Sequence, residues 1–171
     1  MDAPALPSVP ASLTLPDAVA TARLGAAVAA RLRRGEAVCL WGPLGAGKST
    51  LARGLVRALT SPEEDVPSPT FTLVQAYAGR GFPVAHFDLY RLKSADEAAE
   101  LGLEEALAEG AAVVEWPERL EGALPPDRLD VRLAIAPASG SDADSAPRLA
   151  ALTGHGAWIG RDRDLLRSPF A

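Results

Sequence analysis

The chain is poor in several of the residues that chemistry usually turns on. Its 171 residues include one cysteine, Cys39, two lysines, Lys48 and Lys93, and no asparagine. One cysteine excludes an intramolecular disulfide and a cysteine-based zinc cluster, and it fits a reducing compartment. Basic residues are not in excess: 17 Lys and Arg stand against 22 Asp and Glu, for a net charge of −5. That balance disfavours a protein whose main task is gripping phosphate backbones. Long apolar runs are also missing. The most apolar window, Ala18 to Leu32, is too short to span a bilayer and contains Arg23 and Arg31. Met1-Asp2-Ala3-Pro4 does not read as the start of a signal peptide, and none is expected. These absences together lead us to expect a soluble, cytoplasmic protein with no membrane association.

What is present suits one folded domain. The mass is 17.8 kDa and 48% of the residues are hydrophobic, enough to build a core. Residues 1–11 are rich in Ala, Pro and Ser and lack periodicity, which predicts a flexible N-terminal arm before a single domain over 12–171. Apolar spacing predicts a helix from Pro16 to Arg34, stopped by Gly35. Glu36 to Trp41 reads as a buried strand, followed by a glycine-rich turn over 42–47 and a helix from Lys48 to about Leu59. Three prolines break regularity over 61–69. Phe71–Ala78 and Pro83–Tyr90 read as two strands of a hairpin around Gly79-Arg80-Gly81. Ser94 and Glu97 have capping-box spacing and open a helix to Glu109. Further strands are expected at Ala111–Trp116, Leu129–Ala136 and 148–153, the last two separated by a low-complexity loop over 137–147. Strands alternating with helices, with one hairpin, predict a three-layer α/β sandwich on a mixed, mostly parallel sheet.

One motif carries chemistry. Gly42-Pro43-Leu44-Gly45-Ala46-Gly47-Lys48-Ser49 is a full match to the phosphate-binding loop G-x-x-x-x-G-K-[ST], placed between a strand and a helix as that loop requires. Its glycines let successive backbone N–H groups turn inward, and the helix start adds positive potential. Lys48 supplies a compact charge for the β- and γ-phosphates, and the Ser49 hydroxyl can take one Mg²⁺ position. One of only two lysines sits where this loop needs one.

Such a site also needs an acid for the metal. Two apolar runs end in a carboxylate, one at Asp88 and one at Glu115, and strand carboxyl ends are where ligands sit in open α/β sheets. Thr70, at the end of the proline-rich loop, reads either as a γ-phosphate sensor or as a plain strand start. His86 reads as a packed or surface histidine, and Trp116 as core. A small-molecule kinase of the phosphate-loop type is the main rival, with Arg161-Asp162-Arg163 as its only candidate lid. A GTPase would usually need an Asn-Lys-x-Asp loop, which a chain without asparagine cannot supply. A non-catalytic nucleotide-binding module is the third reading.

Four signatures fall in one order: GPLGAGKST at Gly42–Thr50, Ser68-Pro69-Thr70-Phe71, His86-Phe87-Asp88-Leu89-Tyr90-Arg91 and Glu115-Trp116-Pro117-Glu118. Together they resemble the TsaE (YjeE) family, small bacterial ATPases of tRNA threonylcarbamoyladenosine synthesis, over roughly residues 18–136. Thr21-Ala22-Arg23-Leu24-Gly25 fits that family's first helix. The resemblance implies a P-loop NTPase fold, ATP and Mg²⁺ as cofactors, and slow ATP hydrolysis in support of TsaD and TsaB, with tRNA engaged only indirectly. It implies that Gly45, Ala46, Gly47, Lys48, Ser49 and Thr50 bind the phosphates, and that Ser49 and Glu115 hold Mg²⁺. Asp88 and Thr70 would serve catalysis or switching, Trp116 would lie beside the site, and Thr21 would be on the base side of the nucleotide. Ser49 replaces the family's usual Thr but keeps the hydroxyl. Pro43 stands where an acidic or polar residue is common.

Overall fold

The computed structural model describes residues 12–137 and 145–167. The expected arm over 1–11 and most of the expected loop over 137–147 lie outside them. Seven strands form one sheet: β1 (Ser12–Leu15), β2 (Ala37–Trp41), β3 (Val74–Tyr77), β4 (Val84–Asp88), β5 (Ala111–Glu115), β6 (Arg128–Ile135) and β7 (Arg148–His155). Their order across the sheet is β1-β7-β6-β2-β5-β4-β3. The central pairings, β6 with β2, β2 with β5 and β5 with β4, are parallel, while β1–β7, β7–β6 and β4–β3 are antiparallel. The fold is therefore α/β with a mixed sheet, parallel at its centre and antiparallel at both margins.

Side chains alternate across each strand and so feed two apolar layers. On one face Val38, Leu40, Val113, Leu129 and Val131 meet helices α1 (Ala18–Ala29) and α2 (Lys48–Leu59). On the other, Cys39, Phe87, Ala112 and Val114 meet α3 (Ala95–Ala99), α4 (Leu103–Glu109) and a 3₁₀ turn over Pro117–Ala123. α1 and α2 touch at close range. A Cβ on Gly25 would lie 2.2 Å from the Leu51 carbonyl oxygen, and one on Gly54 would lie 2.3 Å from that of Ala22. Two glycines, one per helix, thus let the backbones meet and fix how α2 lies over the sheet.

Several boundaries differ from expectation, each for a local reason. α1 ends at Ala29, because the chain tightens through Arg31 N–H to Val28 O and Leu32 N–H to Ala29 O before turning into β2. Its start is fixed by Asp17, whose carboxylate accepts from Ala20 N–H at 2.8 Å. The helix expected over 94–109 is two, α3 and α4, parted at Gly102 with φ of 84°. Its Ser94 cap is present, accepting from Glu97 N–H. β3 begins three residues later than expected: Pro69 O accepts from Leu73 N–H at 2.7 Å, and Leu73 has φ of 65°. β1 and α5 (Arg161–Arg167) had no counterpart in the sequence reading. α5 closes the first apolar layer with Leu165, next to the buried Trp158. No helix among the described residues is long and apolar enough to cross a membrane.

Candidate functional site

The strand–loop–helix unit places the glycine-rich turn at the carboxyl end of β2, in the middle of the sheet. Gly47 has φ of 103° and stands as the N-cap of α2 with no side-chain hydrogen bond, so no side chain occupies the first N–H groups of the helix. A helix start in that condition favours an anion. Lys48 folds back over the turn, where its Nζ donates to Gly42 O at 2.6 Å and Pro43 O at 2.8 Å. It also lies 4.1 Å from the centroid of the Trp116 ring. Burial pushes the Lys48 ammonium below the usual lysine value, against the upward pull of Glu115, Glu118 and Asp88.

Both strand-end acids come to this place. Asp88 and Glu115 are neighbours in the β4–β5 register. Glu115 lies two residues from Val113, which faces α2, and so points to the same side. Glu115 Oε1 accepts from Ser49 Oγ at 2.9 Å, and Oε2 lies 2.6 Å from His86 Nε2. Asp88 lines the same cavity as Glu115, and its Oδ1 accepts from Tyr90 N–H at 3.1 Å and Oδ2 from Ser68 Oγ at 3.4 Å. Ser68 Oγ in turn lies 3.1 Å from Thr70 Oγ1. Trp116 has φ of 60°, left-handed backbone that a tryptophan rarely adopts. This conformation turns its ring from the end of β5 over Lys48 and against Tyr90, ring centroids 4.8 Å apart.

Two cavities flank the loop. One of about 370 Å³ includes Lys48, Ser49, Thr70, Asp88, Glu115 and Trp116 in its wall. A second of about 410 Å³ lies on the α1 side, with Asp17, Thr21, Ala146 and Arg148. Gly45, Gly47 and Thr50 line both. Thr21 is buried and its hydroxyl donates to Asp17 O at 3.3 Å. Ala46 is fully buried under the turn, with its N–H donating to Pro43 O. Ten of the eleven candidate site residues thus line one cavity or both, and Ala46 is buried beneath the turn. By contrast, Arg161 of the candidate lid pairs with Glu36 at 2.6 Å, before the opposite end of β2.

The donor set suits Mg²⁺. Two cis oxygens of an octahedral ion with bonds of about 2.0–2.1 Å stand about 2.9 Å apart, and Ser49 Oγ and Glu115 Oε1 are 2.9 Å apart. Among the described residues no group of three or more His, Cys, Asp or Glu side chains could hold a metal ion by itself. An ion that keeps several waters and shares a phosphate needs only one or two protein ligands.

Sequence reading missed three contributors. His86, expected to be either packed or at the surface, is packed, and its partner is Glu115; the i, i+2 spacing to Asp88 is the signal the sequence holds. Ser68 belongs to the Ser68-Pro69-Thr70-Phe71 signature and bonds to Asp88 and Thr70. Arg148, whose Nη2 donates to Gly45 O at 3.0 Å, comes from β7 and left no local trace.

Comparison with known proteins places the chain in a family. The family model described as "Threonylcarbamoyl adenosine biosynthesis protein TsaE" matches residues 15–141. The tRNA threonylcarbamoyladenosine biosynthesis protein TsaE of Streptomyces coelicolor is 42% identical over 147 residues, 84% of this chain and 97% of that one. The protein of the same name from Mycobacterium bovis is 42% identical over 129 residues, 70% of this chain and 76% of that one. The crystal structure of Bacillus subtilis YdiB superposes with a TM-score of 0.74 at 25% identity, covering 95% of this chain and 97% of that one. The chain belongs to the TsaE family of threonylcarbamoyl adenosine biosynthesis proteins.

Proposed function

We propose that the protein binds ATP with Mg²⁺ and hydrolyses it slowly, in support of the enzyme complex that installs threonylcarbamoyl on an adenosine of tRNA. The observation that carries this reading is the Ser49–Glu115 contact at the start of α2, beside Lys48. It brings a hydroxyl, a carboxylate and an ammonium to one uncapped helix start, the set that a Mg²⁺-bound phosphate chain requires.

In this reading the phosphates lie along Gly45–Thr50, and Ser49 and Glu115 hold the metal. Held there, Mg²⁺ would neutralise charge on the phosphates. Asp88, tied to Ser68 and through it to Thr70, serves the attacking water or the switch that responds to the γ-phosphate. Trp116 covers the phosphate side, and Thr21 borders the second cavity, where ribose and base would sit. TsaD and TsaB are the partners in this scheme, working in the cytoplasm, and tRNA is met through them. The net charge of −5 agrees with that division of labour. The position of Arg161, held by Glu36 far from the loop, speaks against a kinase with a C-terminal arginine lid.

The test is ATP binding by calorimetry and phosphate release with and without the two partner proteins. Slow release alone, accelerated by the partners, is the expected result. Rapid phosphorylation of a metabolite by the protein alone would sink the reading.

A further inference from the structure

We infer that His86 is a positioning residue for Glu115: its imidazole holds one carboxylate oxygen so that the other faces Ser49 and the metal. This assignment rests on the nucleotide reading above and deepens it.

His86 is 1% exposed and Glu115 is 2% exposed. A carboxylate at that depth needs donors for both oxygens, and unpaired it would be strongly destabilising. Its two side-chain bonds divide the work. Ser49 Oγ donates to Oε1 at 2.9 Å, on the cavity side, and His86 Nε2 lies 2.6 Å from Oε2, on the core side. With Oε1 committed to a metal, the His86 bond to Oε2 would be the one left to fix the carboxylate. The β4–β5 register explains the reach. His86 is beside Val113 and Asp88 is beside Glu115, so His86 meets Glu115 on a diagonal across the strand pair.

The other ring nitrogen supports the same direction. Among the described residues His86 Nδ1 has no hydrogen-bond partner. In a neutral ring that donates from Nε2, Nδ1 carries a lone pair, so the orphan is not a buried N–H. Among the described residues Glu115 is therefore the one hydrogen-bond partner of the His86 ring. Oriented outer donors of this kind change metal affinity by about 10–100-fold when removed.

The experiment uses Mn²⁺ as the probe, titrated into the full chain saturated with ADP, with free Mn²⁺ read by electron paramagnetic resonance. ADP affinity is measured separately in EDTA. His86→Leu removes the donor, His86→Gln keeps an amide N–H near the Nε2 position, and His86→Asn is polar but too short to reach. We expect Leu and Asn to weaken Mn²⁺ binding about 10–100-fold, with Gln within about threefold of wild type on the same scale. ADP affinity without metal should stay the same in all four proteins. Wild-type Mn²⁺ affinity in the Leu variant, or in the Asn variant if Leu does not fold, overturns the assignment alone. A Gln variant as weak as Leu does so too. Absence of ADP binding by the wild type overturns the nucleotide reading and this assignment with it.

Discussion

Lys48 is held by two carbonyls, an aromatic face and low solvation, an arrangement that leaves its charge under-compensated until an anion arrives. Lys48→Ala should therefore lose ATP binding by at least tenfold in a calorimetric titration, and unchanged affinity would remove the loop from the site. The pH dependence has a definite sign. The folded, ligand-free value is lowered from 10.5. Between the two values the unfolded chain binds more protons, so the unliganded protein gains stability as pH rises there. A phosphate needs the charged form, so ADP affinity should fall as pH rises through the lowered value, and Lys48→Ala should abolish that fall. Glu115→Ala should keep metal-free ADP binding and lose both the Mg²⁺ enhancement and turnover. Turnover equal to wild type would move the metal to Asp88. Which of the two acids meets Ser49 was beyond the sequence, since both end strands of similar pattern. Only the approach of β5 to α2 decides it. His86 was half legible: the alternation of β4 put it on the face of Asp88, but its partner belongs to another strand.

At the scale of elements, the loop and its flanking strand and helix were legible because their signals are local: a strand, a glycine-rich turn and a regular apolar step in α2. Features made by distant chain segments were not, and β1, α5 and the Gly102 break between α3 and α4 belong here. The α1–α2 contact is another such feature. An exposed mid-helix Gly→Ala change usually gains about 0.5–1 kcal/mol. At Gly25 the new methyl would meet the backbone of Leu51 and Leu55, and overpacking of that kind costs about 1–3 kcal/mol. Gly25→Ala should thus lower the urea midpoint, and ADP affinity with it, because α2 carries the phosphate loop. Gly81→Ala, with nothing within 4 Å of the added carbon, is the control that should leave the midpoint in place. A neutral Gly25→Ala would mean that the helices can part without consequence for the site.

Taken whole, the molecule hangs its site on the middle of the sheet, where β2 is flanked by β5 and β6. A ligand there is linked to the stability of the entire fold. At a hundred times its dissociation constant, ADP with Mg²⁺ should add about 2.7 kcal/mol, which for a chain of this size is roughly 5–10 °C in melting temperature. A melting temperature that ignores ADP would contradict the proposed site. The sheet order has one more consequence, for synthesis. β1 is made early, but its neighbour among the described residues is β7, with Leu15 opposite Arg148. At about 5–20 residues per second, the first strand waits on the order of ten seconds for its partner to be translated. The central strands, the phosphate loop and both acids have all left the ribosome's peptidyl-transfer centre by then. The nascent chain thus holds the phosphate loop and both acids while one margin of its sheet is still open, and the second cavity, which needs Ala146 and Arg148, is completed only as β7 arrives to pair with β1.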